Sequence, residues 1–185
     1  REGIEKISKD AVKKLSFLNY SAARYFVYAM LAGFFCALGM AFAYSSSGPL
    51  YASANLHSLY KIVLGVTFAL SFTLIVFAGS ELFTGNVVVM TIGVLTKKIR
   101  LAGYIKLLAL CYVANLAGAF LMAWVFASTG LMSGSVGDLI VSASRHKMEL
   151  PFMQAVFRGI MCNILVCMAT WTISKMKSES GKLIV

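Results

Sequence analysis

The sequence predicts an all-α membrane protein whose second transmembrane helix is broken. Hydrophobic residues make up 59% of the 185 residues, only 13% are charged, and the mean hydropathy is +0.82. A soluble domain carries about twice that share of charge, roughly 25%. Apolar residues gather in four runs long enough to cross a bilayer, at about 26–44, 62–95, 101–127 and 155–173.

The second run carries the prediction of a break. Glu81 is its one charged residue. As a straight helix the run would be roughly 50 Å long, whereas a bilayer core is about 30 Å thick. The run is too long for one straight span and too short for two spans with a turn. We therefore expect non-helical backbone over residues 79–86, with helix on both sides, lining a protein-walled pore.

The remaining charge indicates topology and an N-terminal helix. Apolar residues recur at helical spacing in residues 1–25, which predicts an amphipathic helix at the cytoplasmic interface, acting as an anchor or as a gate. That stripe consists of Ile4, Ile7, Ala11, Leu15 and Leu18. A cytoplasmic N-terminus places most of the 17 Lys and Arg inside, and residues 26–185 form the transmembrane channel domain. The net charge is +10, but the basic residues lie between apolar runs and the sequence shows no nucleic-acid-binding motif. The expected partner is therefore the bilayer.

The break supplies groups that suit an anion. Backbone N–H groups freed where a helix resumes attract negative charge. Gly79 and Gly85 permit unusual backbone angles, and the Thr84 hydroxyl can donate to a solute. We expect Glu81 to accept hydrogen bonds from loop N–H groups at the cytoplasmic end of the pore, with a structural role or a proton relay both open.

Apolar residues beside the polar ones favour a constriction. Leu82 and Phe83 could strip water from a solute, or could simply face lipid. Small residues at four-residue spacing, among them Gly33 and Gly118, favour close helix packing or an oligomer. The four cysteines and two histidines show no metal or redox spacing, so no cofactor or metal is expected. An enzyme is disfavoured because Glu81 has no nucleophile or metal partner in the sequence.

The same residues carry a family resemblance. Residues 78–86, Ala-Gly-Ser-Glu-Leu-Phe-Thr-Gly-Asn, resemble the signature loop of the formate/nitrite transporter family. Residues 115–119 are similar to its third-span motif, His146-Lys147 to its outward loop, and residues 159–171 to its fourth span. The Gly-Ser-Glu-Leu-Phe-Thr-Gly form resembles the nitrite and hydrosulfide branches more than the formate branch.

The resemblance implies six spans in two inverted halves, an aquaporin-like protomer and a homopentamer in the cytoplasmic membrane. Only four spans are present, and residues 182–185 look like the opening of a fifth apolar run. We therefore expect a longer protein, whose further part holds the second broken helix and a central pore histidine.

The resemblance also assigns roles by position. Thr84 would face that histidine, Lys147 would concentrate anions in the outer vestibule, and Asn163 would lie near the pore centre. Phe68 would form the outer constriction, with Phe72, Leu82 and Val166 at the inner one. The predicted pore residues are Thr84, Asn163, Lys147 and Glu81, and the predicted constriction residues are Phe68, Phe72, Leu82, Phe83 and Val166.

The sequence therefore predicts a channel or transporter for small monovalent anions, namely nitrite, hydrosulfide or formate. Two alternatives remain open at this point. One is a proton-coupled monocarboxylate transporter of the same family. The other is a membrane scaffold that conducts nothing.

Overall fold

The computed structural model describes residues 2–176, 178 and 181, and every regular element within them is helical. An all-α architecture is thus confirmed. The predicted fifth apolar run at 182–185 lies outside the described residues. The helices are α1 (Glu2–Tyr20), α2 (Ala22–Ala52), a 3-10 turn (His57–Leu59), α3 (Tyr60–Phe77), α4 (Phe83–Leu95), α5 (Leu101–Ser128), α6 (Gly134–Met148) and α7 (Phe152–Lys175).

Within the described residues, four helical segments are long and apolar enough to cross a membrane: Ala22–Ala52, His57–Phe77, Leu101–Ser128 and Phe152–Lys175. They coincide with the four predicted runs, with the second run divided between α3 and α4. The first span is longer than predicted. Helix α2 continues through the serines at 45–47 because this polar end is buried against α6, where Gly48 lies close to Val136.

The predicted break is confirmed, but it is shorter than expected. Residues 78–82 are non-helical, and α4 already begins at Phe83. Gly79 has φ +64°, and the Ser80 N–H donates to the Ile75 carbonyl, which closes α3 with a glycine-dependent cap. The prediction was wrong for residues 83–86, which form the first turn of α4 because the extended Leu82 accepts the Asn86 N–H. Gly85 is therefore helical.

Helix α1 packs on the bundle through its apolar stripe. Ile7, Ala11 and Leu18 are buried in a cluster with residues of α4 and α5, whereas Ile4 remains 45% exposed. The stripe thus contacts protein, so a purely lipid-anchoring role does not describe it. Helix α1 ends at Tyr20, and Ser21 caps α2 by accepting the Arg24 N–H, so the helix boundary lies at residue 21 rather than 25.

Helices α2 and α5 approach each other at two glycines. A Cβ on Gly33 would lie 1.8 Å from the Asn115 carbonyl oxygen, and one on Gly118 would lie 1.8 Å from the Met30 carbonyl oxygen. The predicted small-residue stripes therefore serve close packing within the chain. This contact brings the Asn115 side chain, on α5, beside the break.

The connection before the fourth span, which the sequence analysis places outside, forms a helix that the sequence analysis did not predict. Helix α6 has weak hydropathy, buries only Leu139 among its residues, and packs against α2. Lys147 lies in its last turn. Helix α7 follows, contacts α4 and α1, and has no buried residue.

Candidate functional site

An open cavity of about 200 Å³ lies at the break, between α1, α3, α4 and α7. Most of its lining is apolar, with polar groups from Lys14, Ser80, Asn86 and Thr170 at its wall. The full lining comprises Lys14, Phe72, Ile75, Val76, Gly79, Ser80, Leu82, Gly85, Asn86, Val89, Thr170 and Ile173. A volume of this size suits a small solute with little of its hydration water.

The N-terminus of α4 opens onto this cavity. The first-turn N–H groups of a helix have no partner within the helix and form the positive end of its dipole. The Phe83 N–H donates to Asn115 Oδ1 at 2.9 Å. Thr84 and Gly85 follow in the same turn, and Gly85 lines the cavity. Among the residues that the structure describes, no hydrogen bond engages the Thr84 hydroxyl, and Thr84 itself does not line the cavity.

Glu81 is neutralised by a lysine from α1. Lys14 Nζ lies 2.6 Å from both carboxylate oxygens, and Asn86 Nδ2 donates to Oε2 at 2.8 Å. The expectation that Glu81 accepts from loop backbone N–H groups is wrong, because the carboxylate binds Lys14 and Asn86, and the Ser80 N–H donates to the Ile75 carbonyl instead. The Glu81 N–H instead donates to the Tyr28 carbonyl of α2 at 3.2 Å.

This pairing bears on the prediction of an anion site, because a bare carboxylate there would repel an anion. The side chains of Lys14 and Glu81 are 25% and 10% exposed, so their charges act on each other through little water. Lys14 lines the cavity and Glu81 does not, and the lysine ammonium compensates the carboxylate. An anion in the cavity therefore meets no net negative charge from the pair.

A fully buried polar layer stands behind the pair. Asn86 Nδ2 lies 3.1 Å from the Tyr25 hydroxyl and 3.4 Å from Cys111 Sγ. The Cys111 thiol lies 3.2 Å from the Glu81 carbonyl oxygen. Within the described part of the chain, no group of three His, Cys, Asp or Glu side chains is placed to hold a metal ion. The layer holds the break through its own hydrogen bonds.

Two predicted constriction residues, Phe72 and Leu82, line the cavity. Phe83 does not line it, because its ring packs edge-on against Tyr112 of α5, with centroids 5.5 Å apart. Successive residues of a helical turn point about 100° apart, so Phe83 and Gly85 face different neighbours. Thr84 lies beside α7, where its carbonyl faces the Cys167 thiol at 3.8 Å.

The other predicted residues lie away from this cavity. Asn163 is half-buried on α7 and donates to the Gly159 carbonyl at 2.9 Å, and Val166 is half-buried on the same helix. Phe68 is half-buried on α3, and Lys147 is exposed on α6. Their pore roles stay predictions from the resemblance.

The sequence analysis missed Lys14, Asn86, Asn115 and Thr170 as site residues. Lys14 follows Ala11 by three positions and precedes Leu18 by four, so helical spacing already put it on the buried stripe. Asn86 and Asn115 are amides inside apolar runs, where an unpaired polar group is costly. Thr170 lies beside Gly85, where a Cβ would be 3.4 Å from the threonine hydroxyl, and no sequence pattern indicates that contact.

Comparison with known proteins gives a consistent result. A family model described as Formate/nitrite transporter matches residues 1–185. The chain is 33% identical over 183 residues to a Bacillus subtilis protein named Uncharacterized transporter YwcJ, covering 98% of this chain and 71% of that protein. It is 35% identical over 144 residues to the nitrite transporter NirC of Escherichia coli, covering 75% of this chain and 54% of that protein.

Two solved structures share the fold. One, titled FNT family ion channel, matches with a TM-score of 0.89 and 26% identity, over 99% of this chain and 72% of that one. Another, titled pentameric formate channel with formate bound, matches with a TM-score of 0.74 and 28% identity, over 89% of this chain and 65% of that one. The predicted fold class is therefore confirmed.

Proposed function

Because the chain belongs to the formate/nitrite transporter family, we propose that it conducts small monovalent anions across a membrane through a pore at the broken helix. Nitrite, hydrosulfide and formate are the candidate substrates. The single observation that carries the proposal is the positive end of α4 opening onto a cavity of about 200 Å³ beside the Lys14 ammonium.

The proposed passage exchanges water for protein groups. Phe72 and Leu82 give the anion no hydrogen bonds, so it leaves most of its water before the narrow part. The N–H groups at the start of α4 and the Thr84 hydroxyl then offer replacement donors. Lys14 attracts the anion, while its bond to Glu81 keeps that attraction weak enough for release.

We propose a homopentamer in the cytoplasmic membrane, with the N-terminus in the cytoplasm. The basic N-terminal segment supports this orientation. Large exposed apolar side chains, such as Phe120 and Trp124 at 68% and 69%, suit lipid or a neighbouring copy. The pentameric formate channel of similar fold supports five copies.

Stopped-flow flux into liposomes containing the full-length protein tests the proposal. Nitrite, hydrosulfide and formate are supplied separately, and protein-free liposomes give the background of neutral acid diffusion. We expect at least one anion to enter faster than the background. Entry of all three at the background rate, from folded protein, would leave the scaffold interpretation standing.

A proton-coupled mechanism is the second candidate, and the buried Lys14–Glu81 pair at the cavity favours testing it. The same liposomes are examined with and without an inward proton gradient, at equal anion gradients. Channel-like conduction predicts flux that follows the anion gradient and membrane potential alone. Acceleration by the proton gradient beyond the protein-free background would identify coupled transport.

A further inference from the structure

We propose that Asn115 is the positioning residue that fixes the anion-facing end of α4 and thereby sets how the pore discriminates among anions. The proposal rests on the proposed function above. Asn115 does not line the cavity. It acts through the backbone of the break, which it contacts on both sides of Leu82.

The Asn115 amide bridges three parts of the chain. Its Oδ1 accepts the Phe83 N–H at 2.9 Å, which ties the first residue of α4 to α5. Its Nδ2 donates to the Glu81 carbonyl at 2.9 Å and to the Ala29 carbonyl of α2 at 2.7 Å. One side chain thus bonds to the non-helical backbone at Glu81, to the first residue of α4 and to the backbone of α2.

The residue type follows from this set of partners. The bridge requires one acceptor and two donors at the end of a short side chain, and the asparagine amide supplies all three. Aspartate keeps the acceptor for the Phe83 N–H, but its second oxygen replaces the donor and faces both the Glu81 and the Ala29 carbonyls. Leucine keeps the approximate size and supplies none of the bonds. The amide reaches Ala29 because Gly33 lets the α2 and α5 backbones touch.

Loss of the bridge has a specific consequence for the anion. The Phe83 N–H and the Glu81 carbonyl lie at membrane depth, where a group without a partner must find a new one. The first turn of α4 can then shift, and the N–H groups of Thr84 and Gly85 turn with it. Donors that discriminate among small anions must hold their direction closely, so selectivity should change before the fold is lost.

The test compares Asn115→Leu, Asn115→Asp and Asn115→Gln in the full-length protein, with Leu116→Ala as the control. Leu116 is the adjacent α5 residue and is 45% exposed. Fluxes of nitrite, formate and hydrosulfide are measured in liposomes and expressed as ratios, which do not depend on the amount of folded protein. Hydrogen–deuterium exchange of the segment around residues 78–86 is followed in parallel.

We expect Asn115→Leu and Asn115→Asp to change the flux ratios about threefold or more and to speed exchange in that segment, while Leu116→Ala changes neither. In Asn115→Asp, the ratios should move back toward the wild-type values at low pH, because a protonated carboxyl can again donate to one carbonyl. Asn115→Gln, which retains the amide on a longer stem, should lie between the wild type and Asn115→Leu.

Two results overturn the proposal. One is a folded Asn115→Leu or Asn115→Asp protein with wild-type flux ratios. The other is unchanged exchange around the break in those variants. If Asn115→Leu does not fold, the flux ratios and the hydrogen–deuterium exchange of Asn115→Asp and Asn115→Gln test the proposal instead. If the wild-type protein carries no anion at all, the proposed function fails. The exchange measurement on the Asn115 variants then still tests the positioning role: faster exchange around the break supports it, and unchanged exchange rejects it.

Discussion

The break and helix α7 differ in how many of their groups are bonded and buried within this chain. The backbone and side chain of Glu81 bind groups from α1, α2, α4 and α5, and Asn86 is 2% exposed. Helix α7 carries predicted pore residues as well, yet none of its residues is buried. Its Asn163 amide donates within its own helix.

The difference separates two kinds of prediction. At the break, the geometry follows from contacts inside this chain, so a substitution should act on stability and on flux together. On α7, side chains contribute little to the core that this chain forms, so a substitution there should disturb the contacts described here less and should act on flux if the predicted pore roles hold. The following predictions test that contrast, beginning with the largest expected effect.

Breaking the Lys14–Glu81 pair should have the largest effect on stability. Glu81→Gln leaves a lysine that is three-quarters buried without its carboxylate, and such a loss costs about 3–5 kcal/mol. The exposed pair Lys9–Glu5 on the same helix is the control, and Glu5→Gln should cost less than about 1 kcal/mol. Thermal unfolding in detergent measures both. Lys14→Met combined with Glu81→Gln should be less destabilising than the two single changes added together.

Glycine substitutions compare the two regions directly. Gly33→Ala should destabilise by about 1–3 kcal/mol, because the new methyl group meets the Asn115 carbonyl and forces α2 from α5. Gly159→Ala on α7 meets nothing within 4 Å and should be neutral, or stabilise by up to about 1 kcal/mol through helix propensity. Equal shifts in the unfolding temperature of the two variants would show that the regions do not differ in packing.

Thr84→Val should be an exception beside the break and should lower flux with little change in stability, because no hydrogen bond within the described chain engages the Thr84 hydroxyl. It removes the hydroxyl that we assign to the anion, and a hydrogen bond to a charged group contributes about 1.5–3 kcal/mol, which corresponds to a loss of tenfold or more. The loss should persist at any ionic strength. Thr172→Val on α7 is the matched control, because the Thr172 hydroxyl already binds the Met168 carbonyl at 2.9 Å. Equal flux in the two variants would remove Thr84 from the pathway.

Lys147→Glu should have the smallest effect. An exposed charge on α6 can only raise the local anion concentration, so flux at low substrate should fall roughly two- to fivefold. The loss should disappear near 1 M salt, where the screening length is about 3 Å. Lys61→Glu, which changes an exposed lysine in the first turn of α3, is a suitable control. A Lys147→Glu loss that persists at high salt would place the lysine inside the conducting path instead.

Sequence reasoning predicted the parts of the fold that depend on hydropathy and length. The four spans and the break follow from apolar runs measured against a bilayer, and Gly79 occupies the left-handed position that ends α3. The sequence could not show that the first turn of α4 includes Thr84, because that depends on a hydrogen bond from Phe83 to Asn115 on another helix.

The site was predicted less completely than the fold. The break residues were found because the break itself marks them, and Phe72 and Leu82 do line the cavity. The sequence analysis did not identify Lys14 as the partner of Glu81. Only the docking of α1 onto α4 turns that lysine toward the carboxylate, and a contact between residues 67 positions apart leaves no local pattern.

The single residue between α1 and α2 has a consequence for inhibitor design. With only Ser21 as a connection, α1 is tethered beside its docking surface. Short tethers hold a segment at an effective concentration of about millimolar or higher. A free peptide or drug aimed at the α1 docking surface must therefore compete against an intramolecular ligand at that concentration. A compound that fits the open cavity at the break has no such competitor to displace.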